Sequence, residues 1–290
     1  MIDFIVYDNA GKGKGSKAAA AISAKLSELG IPFAFHHTEK PKHATEIARN
    51  LCEKGAQNII AVGGDGTVHE VLNGLTNLSE ITFGIIPAGT GNDFAEVLGT
   101  PTDPLAALQW ILDGNTRYVD FFDCGGTRGM NIVGCGIDVD ILRHYESKSK
   151  KTRGQYFLSL LHCLIHYRPY DLAFVDEKGE KHEKKAFIAC ACNGKQFGGG
   201  IKICPVADIY DGYLDCLIVN DMPKRKMLGA LMKLVGGKIL QHPNTQTFHV
   251  KEFKMNGNAP LQIDGEIYTD LPFDVKIVTN TLKMFMPKEN

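Results

Sequence analysis

Ile59-Ile60-Ala61-Val62-Gly63-Gly64-Asp65-Gly66-Thr67 runs an apolar strand straight into a glycine-dense turn that carries one carboxylate. Four apolar residues in succession read as a strand buried on both faces, as in a parallel sheet. Gly63, Gly64 and Gly66 would let the backbone take positive φ and approach a ligand with no Cβ in the way. Val68 to Leu75 then have helical spacing. Backbone N–H groups in the turn and at the helix start would therefore point at an anion, and Asp65 could hold a magnesium-bound water or a ribose hydroxyl. Glycine-rich turns of this kind also occur merely to let a helix pack close to its strand.

A second element has the same form. Phe83-Gly84-Ile85-Ile86-Pro87 is a buried strand, Ala88-Gly89-Thr90-Gly91 its turn, and Asn92 and Asp93 are placed to cap a following helix. In a parallel sheet both turns leave from the carboxyl ends of their strands, the edge at which open α/β folds bind ligands. A third loop opens the chain: Ile2 to Tyr7 reads as a strand, followed by Asn9-Ala10-Gly11-Lys12-Gly13-Lys14-Gly15-Ser16 and a helix from Lys17 to Leu29. It lacks the spacing of a Walker A loop, so Lys12 and Lys14 read as mobile phosphate contacts or as solubilising lysines.

Strand and helix alternate over the first part of the chain. Pro32 to His36, Asn58 to Val62 and Thr82 to Ile86 read as strands, and Ala44 to Lys54 and Pro104 to Leu112 as helices, which predicts a doubly wound, Rossmann-like α/β domain. The pattern then turns β-rich, with strands expected over Thr116 to Cys124, Arg128 to Cys135 and Tyr170 to Asp176, the last followed by the turn Glu177-Lys178-Gly179-Glu180. A boundary at residue 125 gives domains 1–125 and 126–290, the extreme C-terminus packing back on the first. Between these strands, the basic run Ser147 to Arg153 precedes an apolar helix over Tyr156 to Tyr167, and Lys224-Arg225-Lys226 precedes another from Met227 to Leu240. Such pairs are solvated charges beside core helices, or the means by which a peripheral protein engages anionic lipid.

Composition narrows the class. The 290 residues carry 32 Lys plus Arg against 33 Asp plus Glu, a balance that argues against nucleic-acid binding. The eight cysteines are scattered without a zinc spacing and read as reduced core thiols of an intracellular, cytoplasmic protein. Neither a signal peptide nor an apolar run of the ~20 residues needed to cross a bilayer is visible.

Taken together, these residues resemble the bacterial diacylglycerol kinase-like lipid kinase family, relatives of sphingosine and ceramide kinases. Gly63-Gly64-Asp65-Gly66-Thr67 with Glu70-Val71-Leu72-Asn73-Gly74, and Pro87 to Ala95, are similar to its nucleotide signatures. Asn193-Gly194 with Gly198-Gly199-Gly200, Pro205-Val206-Ala207 and Asp211-Gly212-Tyr213-Leu214-Asp215 match its C-terminal domain in order and spacing, and Ile263-Asp264-Gly265-Glu266 matches its last signature. Two positions depart from the family: Tyr7-Asp8 stands where an Asn-Pro usually begins the first loop, and His69 where many members have Asn.

The resemblance implies an N-terminal domain like that of NAD kinases and phosphofructokinases, followed by an antiparallel β-rich sandwich, and transfer of the γ-phosphate of ATP to a lipid hydroxyl with Mg2+. It implies that Asp264 is the general base and that Glu266 helps to hold the nucleotide or its metal. It assigns ATP binding to Asn9, Gly11 and Lys12, to Gly63, Gly64, Asp65, Gly66, Thr67 and Glu70, and to Gly89, Thr90, Gly91, Asn92 and Asp93. Asp65 also belongs to the magnesium network, which Asp120 joins through water. A structural magnesium would be held by Asp211 with the main-chain carbonyls of Asp208 and Tyr213. Both Asp264-Gly265 and Asp211-Gly212 read equally as plain Asp-Gly turns. The partners implied are ATP, a membrane lipid acceptor and an anionic membrane surface, with a homodimer left open. An NAD kinase-like small-molecule kinase and a non-catalytic nucleotide or lipid binder stay as alternatives.

Overall fold

A computed structural model of the chain describes residues 1–148, 153–175, 181–256 and 259–288. The chain divides into two compact units, Met1–Phe121 with Val278–Asn290, and Phe122–Ile277. The elements in order are β1 (Ile2–Val6), α1 (Lys14–Glu28), β2 (Phe33–His37), α2 (His43–Glu53), β3 (Asn58–Gly63), α3 (Asp65–Gly74), β4 (Thr82–Pro87), α4 (Asp93–Leu98), α5 (Pro104–Asp113) and β5 (Thr116–Cys124). They continue with β6 (Thr127–Gly129), β7 (Ile132–Gly136), α6 (Ile137–Glu146), α7 (Arg153–His166), β8 (Tyr170–Val175), β9 (Lys181–Cys192) and β10 (Leu214–Asn220). After α8 (Lys224–Val235) come β11 (Thr245–Val250), β12 (Glu252–Asn256), β13 (Leu261–Ile263), β14 (Glu266–Tyr268) and β15 (Phe273–Phe285).

In the first unit the strands lie in the order β2-β1-β3-β4, with the end of β15 beside β4, and every pairing is parallel. Alternate residues of the buried strands face opposite layers. Phe4, Val6, Ile60, Val62 and Ile86 pack on α1 through Ala18, Ala19, Ile22 and Leu26 and on α5 through Leu108 and Ile111. The opposite layer is formed by α2 and α3, which pack on each other and on β1 and β3. Helix α2 starts at Lys42 in the left-handed region with no side-chain cap of its own. The Glu70 carboxylate of α3 replaces that cap, accepting the N–H groups of Lys42 at 2.9 Å and Ala44 at 3.1 Å.

In the second unit the pairings are antiparallel among the described residues: β9 pairs with β7, β8 and β10, β10 with β11, β12 with β8 and β15, and β13 with β7 and β14. Side-chain alternation along β9 divides two cores. Ile188, Cys190 and Cys192 face a layer that includes α6, α7 and α8, whereas Ala189 and Ala191 face a sandwich core with Phe122, Phe253, Ile263, Phe273 and Val275. All eight cysteines are buried and unbridged.

Several element bounds differ from the sequence reading. Helix α1 begins at Lys14 and α3 at Asp65, three residues before each expected start, so Asp65, Gly66 and Thr67 form the first turn of a helix. The strand expected over Arg128 to Cys135 is broken at Met130 and Asn131, for a reason that belongs to the candidate site. Helix α6 has no counterpart in the sequence reading. Helix α8 starts earlier than expected and ends before Gly236 and the left-handed Gly237 rather than running to Leu240. The turn Glu177-Lys178-Gly179-Glu180 lies outside the described residues, as do Lys150 and Lys151 of the basic run. Among the described residues no helix is long and apolar enough to cross a membrane.

Candidate active site

Strands β3 and β4 are in register through Val62↔Ile86 and Gly63↔Pro87, so their C-terminal turns emerge side by side. The two turns touch through glycine backbone. A Cβ on Gly64 would lie 3.0 Å from the Cα of Gly89, and a Cβ on Gly89 would collide with the Cα of Gly64 and lie 2.8 Å from Asn92 Oδ1. Gly64 itself sits at φ −101°, and Gly63 and Gly66 are not in the left-handed region either. The expectation of positive φ at these three glycines is therefore corrected: Gly64 supplies room for the backbone of Gly89, and Gly63 room for the Thr67 side chain.

Asp65 staples the turns together. Its carboxylate accepts the N–H of Asn92 at 2.8 Å and that of Phe94 at 3.4 Å, and so caps α4 from across the sheet edge. Asn92, expected to cap this helix, makes no side-chain cap bond. Instead it lies in the left-handed region at φ 59°, accepts the Gly89 N–H at 2.9 Å and donates its amide to the Gly89 carbonyl at 3.2 Å. Burial, and next the charge of buried Asp93, push the Asp65 carboxyl up to about 6 against the bonds from α4.

The first loop packs on the same edge. Gly11, Lys12 and Gly13 are successively left-handed, the Ala10 carbonyl accepts the N–H groups of Gly13 and Lys14, and a Cβ on Gly11 would meet the Ala88 carbonyl. Asn9, Lys12 and Thr90 are exposed, Gly91 is half-buried and Thr67 is buried. The unusual Asp8 bonds His37 at 2.8 Å, which ties the loop to the end of β2. His69 is buried in α3, and Asp120 is buried on β5. Glu70, expected at the nucleotide, is turned onto the start of α2.

In the second unit, Asp264 and Gly265 have φ of 50° and 93° and join β13 to β14 with Ile263 opposite Glu266, a two-residue hairpin of the type that needs positive φ at both positions. The Asp-Gly turn is real, and its carboxylate is also committed. Met130 N–H donates to Asp264 Oδ2 at 2.6 Å, and the N–H groups of Asn131 and Ile132 donate to Oδ1 at 2.9 and 3.0 Å. These amides break the strand between β6 and β7. The carbonyls of the same segment are taken by the Asn193-Gly194 signature: both N–H groups donate to the Asn131 carbonyl at 2.8 Å, and Asn193 Nδ2 donates to the Met130 carbonyl at 2.6 Å. Gly265 N–H donates to the Gln262 side chain at 3.0 Å. Glu266 is exposed on β14.

Two buried groups beside this knot escaped the sequence reading. Asp138 lies in the first turn of α6, and Gly134 makes room for its carboxylate, since a Cβ there would collide with Oδ2 and come within 3.2 Å of the Gln262 amide. Burial pushes the Asp138 carboxyl up to about 7, over the opposing pull of the Val139 N–H and the Gln262 amide. The pattern Gly134-Cys135-Gly136-Ile137-Asp138 was the signal available.

The residues expected at a structural magnesium, Asp208, Asp211 and Tyr213, all lie on the loop before β10. Asp208 accepts the Tyr210 N–H at 3.1 Å and Asp211 Oδ1 accepts the Tyr213 N–H at 2.9 Å. Asp211, Asp215 and His249 present ligand atoms within 4.8 Å of one another, with Tyr213 stacked on His249 at 4.5 Å. The donor set of two carboxylates and an imidazole fits a divalent cation. Asp215 and His249 were not among the residues expected there, because β11 brings His249 opposite Asp215 only through sheet register.

Asp65 and Asp138 both bind protons more tightly in the folded chain than at the ordinary carboxylate value of 3.8. Their contribution to stability is therefore complete below about pH 4 and is lost as pH rises through about 6 and 7. Urea unfolding across pH 5 to 8 should show wild-type stability falling on that limb, and Asp138→Asn should flatten it. An unchanged slope in the variant would mean that Asp138 is not buried as described.

Comparison with known proteins agrees with both units. Residues 2–124 match the diacylglycerol kinase catalytic domain model, and residues 131–286 match the YegS C-terminal NAD kinase beta sandwich-like domain model. A diacylglycerol kinase of Bacillus subtilis is 28% identical, the match covering 98% of this chain and 96% of that protein. A Chromohalobacter salexigens protein named "Probable lipid kinase YegS-like" is 32% identical over 83% of this chain and 80% of its own length. A crystal structure of a diacylglycerol kinase from Bacillus anthracis superposes with a TM-score of 0.80 at 25% identity, covering 99% of this chain and 97% of that one. With its paired glycine turns, its Asp264 hairpin and both domain models matched in order, the chain belongs to the diacylglycerol kinase and YegS-like lipid kinase family of ATP-dependent phosphotransferases.

Proposed function

We propose that the chain transfers the γ-phosphate of ATP to the hydroxyl of diacylglycerol or a related lipid, with Asp264 as the base that accepts the hydroxyl proton. The observation that carries this reading is the Asp264 carboxylate, fixed by three backbone N–H groups at the tip of a hairpin that is one of the family's signatures. Phosphoryl transfer asks little covalent chemistry of a protein; it needs positioning, charge neutralisation and a placed base. The glycine turns after β3 and β4 and the loop of Asn9, Gly11 and Lys12 bind the phosphates through backbone N–H groups and Lys12, while Asp65 keeps the two turns in one arrangement.

Magnesium, when bound, supplies charge neutralisation at the phosphates. Asp65 and Asp93 fit it, because a divalent cation would relieve the repulsion that helps to raise Asp65. A second, structural ion is assigned to Asp211 with Asp215 and His249. Contact with an anionic membrane is part of this reading: α7 exposes Phe157, Leu158 and Ile165, α8 exposes Leu228, Met232 and Val235, and Lys224 at the head of α8 donates to the Ile165 carbonyl at 2.8 Å.

Three measurements test the parts separately. Asp264→Asn should lower kcat by about 10²–10⁴-fold with little change in Mg-ATP affinity, and a folded variant that turns over at the wild-type rate rejects the base. Magnesium without nucleotide should raise the wild-type melting temperature, and Asp211→Ala should abolish that rise; equal responses would leave a plain turn. Replacing Lys224, Arg225 and Lys226 with Glu should weaken binding to anionic vesicles by roughly 1 kcal/mol per residue facing the surface, and undiminished binding would remove this cluster from the membrane contact.

A further inference from the structure

Helices α6 and α7 and the start of β8 line an open hollow of about 620 Å³ within the second unit, separate from every residue assigned above to phosphoryl transfer. Three histidines form a ladder along it. His144 of α6 stacks on His162 of α7 with ring centroids 4.1 Å apart and planes 11° from parallel, and His162 lies 4.3 Å from His166, one turn further on. Arg143 and Arg168 also line the hollow, and its carboxylate, Asp140, accepts the Tyr170 hydroxyl at 2.9 Å. His144 Nδ1 is buried without a hydrogen-bond partner.

We propose that this hollow binds a phosphomonoester dianion. Two permanently charged arginines and three histidines line the same hollow, and a phosphomonoester carries about −1.5 to −2 charges on three acceptor oxygens at neutral pH. A carboxylate would satisfy one arginine and leave the ladder unused. A metal ion is disfavoured by the geometry. Rings stacked face to face present their nitrogens side by side rather than at one point, His166 Nδ1 sits 2.9 Å from the His162 carbonyl, and among the described residues the ligand atoms that converge within 4.8 Å belong to Asp211, Asp215 and His249 instead. The volume exceeds what a bare phosphate fills, and Phe157, Leu158 and Ile165 are exposed on the same helix, so the ester substituent can be a lipid or a smaller organic group.

The histidines make the site responsive to pH. Burial, then Lys148, His162 and His166, hold His144 below its ordinary value. Burial holds the Cys163 thiol, at about 11, and the Tyr170 hydroxyl protonated, so neither adds negative charge beside the ladder. A bound dianion reverses the crowding of positive charge and draws protons onto the ladder. Affinity should therefore rise as pH falls from 8 to about 6.5, and level off where the phosphate itself takes its second proton near pH 6.

Nuclear magnetic resonance of the histidine ring C–H groups in the full chain reads the site directly and needs no turnover, so its outcome is distinguishable from failure of the proposed reaction. Titration with hexyl phosphate or inorganic phosphate should shift the His144, His162 and His166 signals, about tenfold more tightly at pH 6.5 than at pH 8. His162→Gln with His166→Gln, both exposed positions, should weaken binding at least about tenfold, and Arg168→Gln should weaken it with all three reporter rings in place. Phosphatidylcholine vesicles containing phosphatidate, set against vesicles of equal charge made with phosphatidylglycerol, separate the sources. Phosphatidate-specific binding that is lost in the double variant assigns a lipid headgroup, whereas binding of the soluble phosphates alone assigns a free phosphomonoester. The proposal is overturned by ring signals that no phosphate probe moves, by variants that bind as wild type does, by vesicle binding indifferent to headgroup with no soluble binding, or by stoichiometric zinc binding at the ladder without phosphate binding.

Discussion

A single carboxylate accepting three consecutive backbone N–H groups organises the second unit. Backbone donors left unpaired in a buried segment cost free energy comparable to a lost hydrogen bond each, so a strand can break in a core only where something else receives them. Asp264 receives those of Met130, Asn131 and Ile132, while Asn193 and Gly194 supply the donors that the facing carbonyls need. Three segments far apart in sequence are thereby fixed at one point. The first unit uses the same device: Asp65 accepts amides at the start of α4 and so sets the separation of two turns whose glycines already touch. In both units a residue proposed for the chemistry is also a structural fastener.

Most of the architecture was legible because its signals are local. Buried strands such as Ile59 to Val62 and Phe83 to Ile86 announce a parallel sheet by their unbroken apolar runs, and the alternation about Cys190-Ala191-Cys192 gives the two faces of β9. What was misread depends on partners remote in sequence. The break at Met130 and Asn131 has no local cause, since its receptor lies more than 130 residues away. Glu70 sits in a nucleotide signature yet finishes the hydrogen bonds of α2, and Asn92 has the identity of a cap while the cap comes from Asp65. The site residues first seen in the structure, Asp138, Gln262, Asp215 and His249, gain their neighbours only from strand register and burial.

Burial also separates the protein's acids and thiols from ordinary solution behaviour. Cys135, Cys190, Cys192 and Cys216 lie in the cores of the second unit, and desolvation raises each thiol well above its usual range. They stay protonated and behave as small apolar side chains, which removes thiolate chemistry from the centre of this sheet. The carboxyls of Asp65 and Asp138 differ, because their raised values fall close to neutrality.

Strand β15 gives up its first half to the second unit, where Phe273 to Lys276 pair with β12, and its last residues to the first unit, where Lys283 and Met284 pair with β4. Neither unit has its full set of strand pairings until this strand has been synthesised. During translation the start of β4, at Thr82 and Phe83, has no partner on the side that Lys283 and Met284 later cover. The parallel sheet of the first unit therefore gains its last neighbour from the final residues of the chain to leave the ribosome, although its other strands all lie in the first third of the sequence.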